Sequence, residues 1–154
     1  MNDTERLEHQ AELFGSLFLL TQHLARRADA AMEPLGLTTK QWLLLAILVK
    51  RFAGQTPTLT EAALWYGSSR QNVKQIALQL ESRGFLRLVT DPKDKRVLRL
   101  QLTEHVRLLE TPQEHQRQVD LLTGLFAALS DPDLARFLEL VRRELAAIAP
   151  QGLA

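Results

Sequence analysis

Over the first thirty residues, Leu7, Ala11, Phe14, Phe18, Thr21, Ala25, Ala28 and Met32 recur at alternating steps of four and three. That spacing is a heptad seam and predicts one long helix over residues 4–32. Leu13, Leu17, Leu20 and Leu24 form a second stripe beside it. The apolar face is therefore too broad for a helix standing alone in water, so it needs a partner. Pro34 and Gly36 supply the stop.

Helical spacing continues through most of the chain. Thr38 or Thr39 can cap a second helix reaching about Phe52, whose stretch 42–49 is apolar nearly all round and reads as centrally buried. After a loop at 54–58 containing Pro57, Thr58 and Glu61 form a capping-box signature for a short third helix, 62–66, that stops at Gly67. Ser68 or Ser69 can cap a fourth helix running to Arg83, with Gly84 placed to end it.

The period then changes to two. Leu86 and Leu88 alternate with Arg87, while Leu98, Leu100 and Leu102 alternate with Arg99 and Gln101, so each run has one apolar face. Between them lies Asp91-Pro92-Lys93-Asp94, with Pro at the position that suits a type I turn. This predicts a hairpin with a charged tip.

Thr103 reads as opening a fifth helix. Thr111-Pro112-Gln113-Glu114 inside it implies a kink or restart, because Pro disfavours a helical residue before it yet suits the first position of a new helix. Beyond that point the helix is expected to carry Val119, Leu122, Leu125, Phe126 and Leu129. Ser130-Asp131-Pro132-Asp133 starts a last helix with Leu134, Phe137, Leu138, Val141, Leu145 and Ile148 on one face, stopped by Pro150. The expected fold class is mainly α with a small β-hairpin wing.

Composition narrows the function. The 154 residues are 45% hydrophobic and 24% charged, as in ordinary globular proteins. The first ten residues are charged and lack the apolar core of a secretory signal, and no apolar run is long enough to cross a bilayer. The expected location is cytoplasmic, with no membrane partner. The absence of cysteine excludes disulfides, thiolate zinc sites and thiol-based sensing. His9, His23, His105 and His115 are scattered without metal-ligand spacing. No nucleophile–base pair, phosphate loop or metal set is visible, so neither an enzyme nor a cofactor is expected.

The net charge of +1 conceals an asymmetry. Residues 38–102 hold eleven Lys and Arg against four Asp and Glu, a local charge of +7, and the rest of the chain carries −6. A basic middle between acidic flanks is the footprint of a polyanion binder, although charge also fluctuates over windows of this size.

The third and fourth helices, joined through Gly67, have the arrangement of a helix-turn-helix, whose second helix can enter the DNA major groove. On that helix Val73, Ile76, Ala77 and Leu80 share one arc and should face the protein. Gln71 and Gln75 fall opposite them, with Asn72 and Lys74 on the flanks and Arg70 at the entrance. Gln and Asn can pair with adenine, while Arg and Lys reach guanine or phosphate. Ser68 and Ser69, beside free amides at a helix start, could hold a phosphate. An ordinary exposed polar face has a similar make-up, so the weight rests on the setting.

The hairpin tip adds Lys93, Lys95 and Arg96, which could reach the adjacent minor groove, with Asp94 orienting Arg96. The alternative for the lobe is a winged-helix protein-interaction module that does not bind DNA. Such a module would be expected to lose the basic wing and acquire acidic groups on the recognition helix. This chain keeps the former and has no acidic residue from Ser68 to Leu80.

Several segments resemble the multiple-antibiotic-resistance regulator (MarR) family. They are Thr39-Lys40-Gln41-Trp42, Ser69-Arg70-Gln71-Asn72-Val73-Lys74-Gln75, Leu80-Glu81-Ser82-Arg83-Gly84-Phe85-Leu86, Asp91-Pro92-Lys93-Asp94-Lys95-Arg96 and Leu102-Thr103-Glu104. The motifs cover residues 35–104, and element order extends the resemblance to the whole chain.

The resemblance implies a winged helix-turn-helix lobe at 35–104 between an N-terminal dimerisation helix, 1–34, and C-terminal dimerisation helices, 105–154. It implies a homodimer on double-stranded DNA at a pseudo-palindromic operator, usually as a repressor. Residues 69–75 would meet the major groove and Arg96 the minor groove. Leu7, Ala11, Phe14, Phe18, Leu134 and Leu138 would belong to the dimer contact. A small aromatic or anionic effector would act between the dimer helices and the lobe, with Trp42, Phe52, Trp65 and Tyr66 as nearby aromatics that also read as core. Two positions depart from the family pattern: Val106 stands where Gly is common, and Pro112 interrupts a usually continuous helix.

Overall fold

The computed structural model describes residues 2–149, and the chain divides into two compact units between Thr39 and Lys40. Pro150, the expected stop of the last helix, lies outside the described residues.

The first unit is built on α1, Asp3–Met32. Its start is a reciprocal capping box: the Asn2 side chain accepts from the Glu5 N–H at 2.9 Å and the Glu5 carboxylate accepts from the Asn2 N–H at 2.9 Å. The helix tightens into a 3-10 turn, Glu33–Leu35, and ends at Gly36, whose φ of 64° is the left-handed conformation that a side chain would penalise. Every described residue from Asn2 to His23 is exposed in the single chain, including the whole first half of the heptad seam.

Thr39 is the first residue of α2, Thr39–Phe52, and not its cap. Its backbone N–H donates to Asp29 Oδ1 at 2.6 Å, and its hydroxyl lies 2.7 Å from the same oxygen and 3.1 Å from the Ala25 carbonyl. A carboxylate from the end of α1 thus satisfies an amide at the beginning of α2.

In the second unit, α2 buries Leu44, Leu45 and Leu48 but leaves Leu43 and Val49 about 40% exposed. The apolar run is therefore one-sided, which corrects the expectation of a helix buried all round. Helix α3, Leu59–Tyr66, starts three residues before the expected boundary. A box whose cap is Thr58 places Glu61 inside the first turn, not ahead of it. Helix α4, Arg70–Ser82, faces the core with Val73, Ile76, Ala77 and Leu80, as its spacing predicts.

Strands β1, Leu86–Thr90, and β2, Leu98–Leu102, pair antiparallel with Leu86 opposite Leu102 and Leu88 opposite Leu100. Leu86 and Leu100 are fully buried and complete the core with Leu59 and Phe85. Removing several methylenes from such a site typically costs about 2–5 kcal/mol.

The segment after the hairpin differs from expectation. Thr103 caps a 3-10 helix, Glu104–Glu110, and not an α-helix. Thr111 is extended, at φ −66° and ψ 150°, because the ring of Pro112 disfavours a helical residue before it. The restart follows at once: α5 runs Pro112–Leu125, with the Thr111 hydroxyl accepting from the Glu114 N–H at 3.3 Å. Phe126 and Leu129, expected on this helix, lie past its end, where the Leu129 N–H donates to the Phe126 carbonyl at 3.0 Å. Ser130 caps α6, Asp131–Ile148, whose Leu134, Leu138, Leu145 and Ile148 remain exposed.

Candidate nucleic-acid interface

Gly67 makes the turn between α3 and α4. Its φ of 70° lets the chain reverse, and the following Ser68 N–H closes onto the Ala63 carbonyl at 3.2 Å. Ser69 then caps α4, its hydroxyl accepting from the Asn72 N–H at 3.1 Å. Ser68 accepts from the Asn72 side-chain amide at 2.9 Å. Burial of Val73, Ile76, Ala77 and Leu80 turns Arg70, Gln71, Asn72 and Gln75 outward, with Lys74 half-buried beside them. Arg70, Gln71 and Lys74 line one shallow hollow. This face offers two cations and three amide side chains, with no carboxylate among them.

Position 41, at the start of α2, holds a buried glutamine whose Nε2 donates to Gln79 Oε1 at 2.9 Å, tying α2 to the far end of α4. A buried amide without a partner would be costly, so this pair favours one placement of the helix.

The wing is held by a carboxylate that sequence reasoning missed. Asp91 is buried, and its Oδ1 accepts from the Lys93 N–H at 2.7 Å and the Asp94 N–H at 3.0 Å, folding the turn around a side chain. Its other oxygen pairs with Arg99 Nε, and Arg99 Nη1 reaches the Thr56 carbonyl at 2.8 Å. The Arg99 hydrogen bond, then the two amides, hold the Asp91 carboxyl below the usual range. In the sequence Asp91 is legible only as the first residue of the turn before Pro92, and nothing there shows that its side chain folds that turn. The reach of Arg99 to the α2–α3 loop has no sequence signal.

Both edges of the hairpin are pinned. The Leu88 N–H donates to Glu81 Oε1 at 2.8 Å on one side, and the Leu100 N–H donates to the Pro57 carbonyl at 2.8 Å on the other. Near that second edge Glu61 is also held below its ordinary pKa, chiefly by the Thr58 N–H. At the tip, Asp94 Oδ1 accepts from the Arg96 N–H at 3.0 Å and lies 3.5 Å from Arg96 Nε. The two charged groups are therefore in contact. The Arg96 side chain is nevertheless 92% exposed, and Lys93 and Lys95 are exposed beside it.

The remaining residues singled out from the sequence sort into two groups. Leu7, Ala11, Phe14 and Phe18 are exposed along α1, where the rings of Phe14 and Phe18 meet edge to face at 5.0 Å between centroids. Leu134 and Leu138 border an apolar groove between α5 and α6 with Leu122, Phe126, Leu129 and Phe137. Trp42, Phe52, Trp65 and Tyr66 are each half-buried. Arg51 stacks 3.7 Å above the Trp65 ring, and the Tyr66 hydroxyl donates to the Lys40 carbonyl at 3.2 Å while burial pushes its pKa up. Among the described residues no cluster of His, Asp and Glu is placed to hold a metal ion, and no helix is long and apolar enough to cross a membrane.

A helix-turn-helix followed by a two-stranded wing, between helical ends, is the winged helix fold of MarR structures. A mutant of MarR from E. coli in complex with operator DNA superposes with a TM-score of 0.74 at 21% identity, covering 94% of this chain and 99% of that one. A probable transcriptional regulator from Pseudomonas aeruginosa gives 0.70 at 20% identity, over 82% and 92% of the two chains. Reduced AbfR bound to DNA gives 0.65 at 20% identity, over 96% and 99%. What these proteins share with the chain is the fold. In sequence, the transcriptional activatory protein BadR of Rhodopseudomonas palustris is 29% identical over 91 residues, 59% of this chain and 52% of BadR, so the match spans about half of that relative. No family profile matches the chain.

Proposed function

We propose that the chain is a transcription regulator of the MarR kind that binds double-stranded DNA as a homodimer at a pseudo-palindromic operator, and that it is not an enzyme. The observation that carries this reading is the outward face of α4, where Arg70, Gln71, Asn72, Lys74 and Gln75 stand clear of the core in a lobe of charge +7. In this reading Gln71, Asn72 and Gln75 read base edges, while Ser68, Ser69, Arg70 and Lys74 meet phosphates or guanine. Arg96 enters the minor groove, with Lys93 and Lys95 on its backbone and Asp94 steadying it. The DNA bound in the MarR and AbfR structures supports the same partner.

In this reading the dimer contact is formed by α1 together with the last two helices, α5 and α6. A helix exposing Leu7, Phe14 and Phe18 above 60% would lose about 25 cal/mol for each Å² of apolar surface left in water. Burial against a second copy removes that cost, and the two-fold symmetry of a dimer matches a palindromic site.

Repression is the role that the resemblance implies and is the sign we adopt. Activation, the role for which BadR is named, is the opposite outcome of a reporter assay. Release by a small aromatic or anionic effector belongs to the same reading and rests on resemblance alone. Selection of bound fragments from random duplex DNA, with and without added aromatic acids, tests the reading. It predicts enrichment of an inverted repeat, and an unenriched pool overturns it.

A further inference from the structure

We infer that Arg99 is a positioning residue for the wing, a strut that sets the direction of the basic tip without touching DNA itself. This rests on the DNA-binding reading for its consequence, but its geometry stands apart from it.

Two side-chain contacts and one backbone bridge meet at Arg99. Arg99 sits in β2 opposite Val89 and its backbone bridges to Thr58. Its Nη1 binds the Thr56 carbonyl in the loop before α3, at 2.8 Å. Its Nε binds Asp91, and Asp91 in turn holds the amides of Lys93 and Asp94. The planar fork of Arg can serve a carboxylate and a carbonyl together, which the single ammonium of Lys cannot do in the same geometry. A continuous chain of polar contacts thus runs from the α2–α3 loop, through Arg99 and Asp91, to the Asp94 amide, and Asp94 in turn accepts from the Arg96 N–H.

A two-stranded hairpin is marginally stable alone, so its angle has to be fixed by contacts at its base. Glu81 and Pro57 hold the strands by their backbone amides, whereas Arg99 is the contact that reaches the turn. The Arg99 side chain is one-third exposed and the Asp91 side chain 9% exposed, so the pair is partly shielded from water.

The test uses Arg99→Leu, which keeps an apolar stem in the strand, and Arg99→Lys. In the free protein, backbone relaxation should show residues 93–96 becoming mobile in Arg99→Leu while α3 and α4 keep their order. Affinity is then read on a duplex recovered by the unmodified protein from random DNA. Arg99→Leu should weaken it about tenfold, and Arg99→Lys should recover only part of the loss. In an Arg96→Ala background the same change should cost less than about twofold, because the group being positioned is already gone. Equal losses in both backgrounds, or a wing that stays ordered, overturn the inference. Failure of the unmodified protein to bind any duplex overturns the functional reading instead and leaves the relaxation result to decide the strut.

Discussion

The side-chain amide of Asn72 donates to the Ser68 hydroxyl at 2.9 Å, one turn back across the start of α4. The two groups satisfy each other while the neighbouring Ser69 caps the helix through the Asn72 backbone. The serines therefore divide the work, one closing the helix end and the other restraining a side chain that the sequence assigned to base reading.

Ser69→Ala should lower the unfolding free energy by about 1 kcal/mol, the usual worth of a Ser cap. Ser68→Ala should change it by less than about 0.5 kcal/mol, as for an ordinary surface substitution. Urea denaturation of the two variants checks this, and the reverse order would reject the division of roles.

Gln71 is exposed at the middle of the outward face. Gln71→Ala should alter sequence preference by about 1–3 kcal/mol at one position in each half-site. Equal weakening on selected and random duplexes would show that Gln71 does not read bases.

Lys74 and Arg96 are assigned to the DNA backbone and the minor groove. Replacing either by Ala should weaken binding, and each phosphate interaction removed should make the dependence of log affinity on log salt shallower by about one unit. An unchanged affinity and slope would remove that residue from the interface.

Acid should loosen the wing before the rest of the lobe. The Asp91 and Glu61 carboxyls are both held below their ordinary values, the first by Arg99 and the second by the Thr58 N–H. A depressed folded-state pKa gives stability that is present above the unfolded-state value and is lost as pH falls through the folded one. Asp91→Asn should therefore flatten the acid limb of a stability-against-pH curve, measured by denaturant unfolding at each pH. A limb as steep as that of the unmodified protein would show that Asp91 contributes nothing to it.

Most of the fold was legible because its signals are local. The heptad seam, the Thr58–Glu61 box, the glycines at 36, 67 and 84 and the alternating leucines of the hairpin each fix an element from neighbouring residues. The misread positions have two separate causes. The exposure of Leu43 and Val49 on α2 depends on which face tertiary packing covers, and the 3-10 form of residues 104–110 depends on the balance of short-range bonds before Pro112. The outward set on α4 came from helical geometry alone. Asp91 with Arg99, and Gln41 with Gln79, join residues 8 and 38 positions apart, beyond the reach of any periodic pattern.

The proposed function stands or falls with two copies of the chain on one duplex, and a binding titration with measured stoichiometry is its sharpest check. In dilute salt, protein of verified helical content should bind the selected duplex with two chains per DNA, and Phe14→Glu with Phe18→Glu should give monomers that bind far more weakly. A folded, unmodified protein that is monomeric at micromolar concentration, or that binds no duplex in dilute salt, would contradict it.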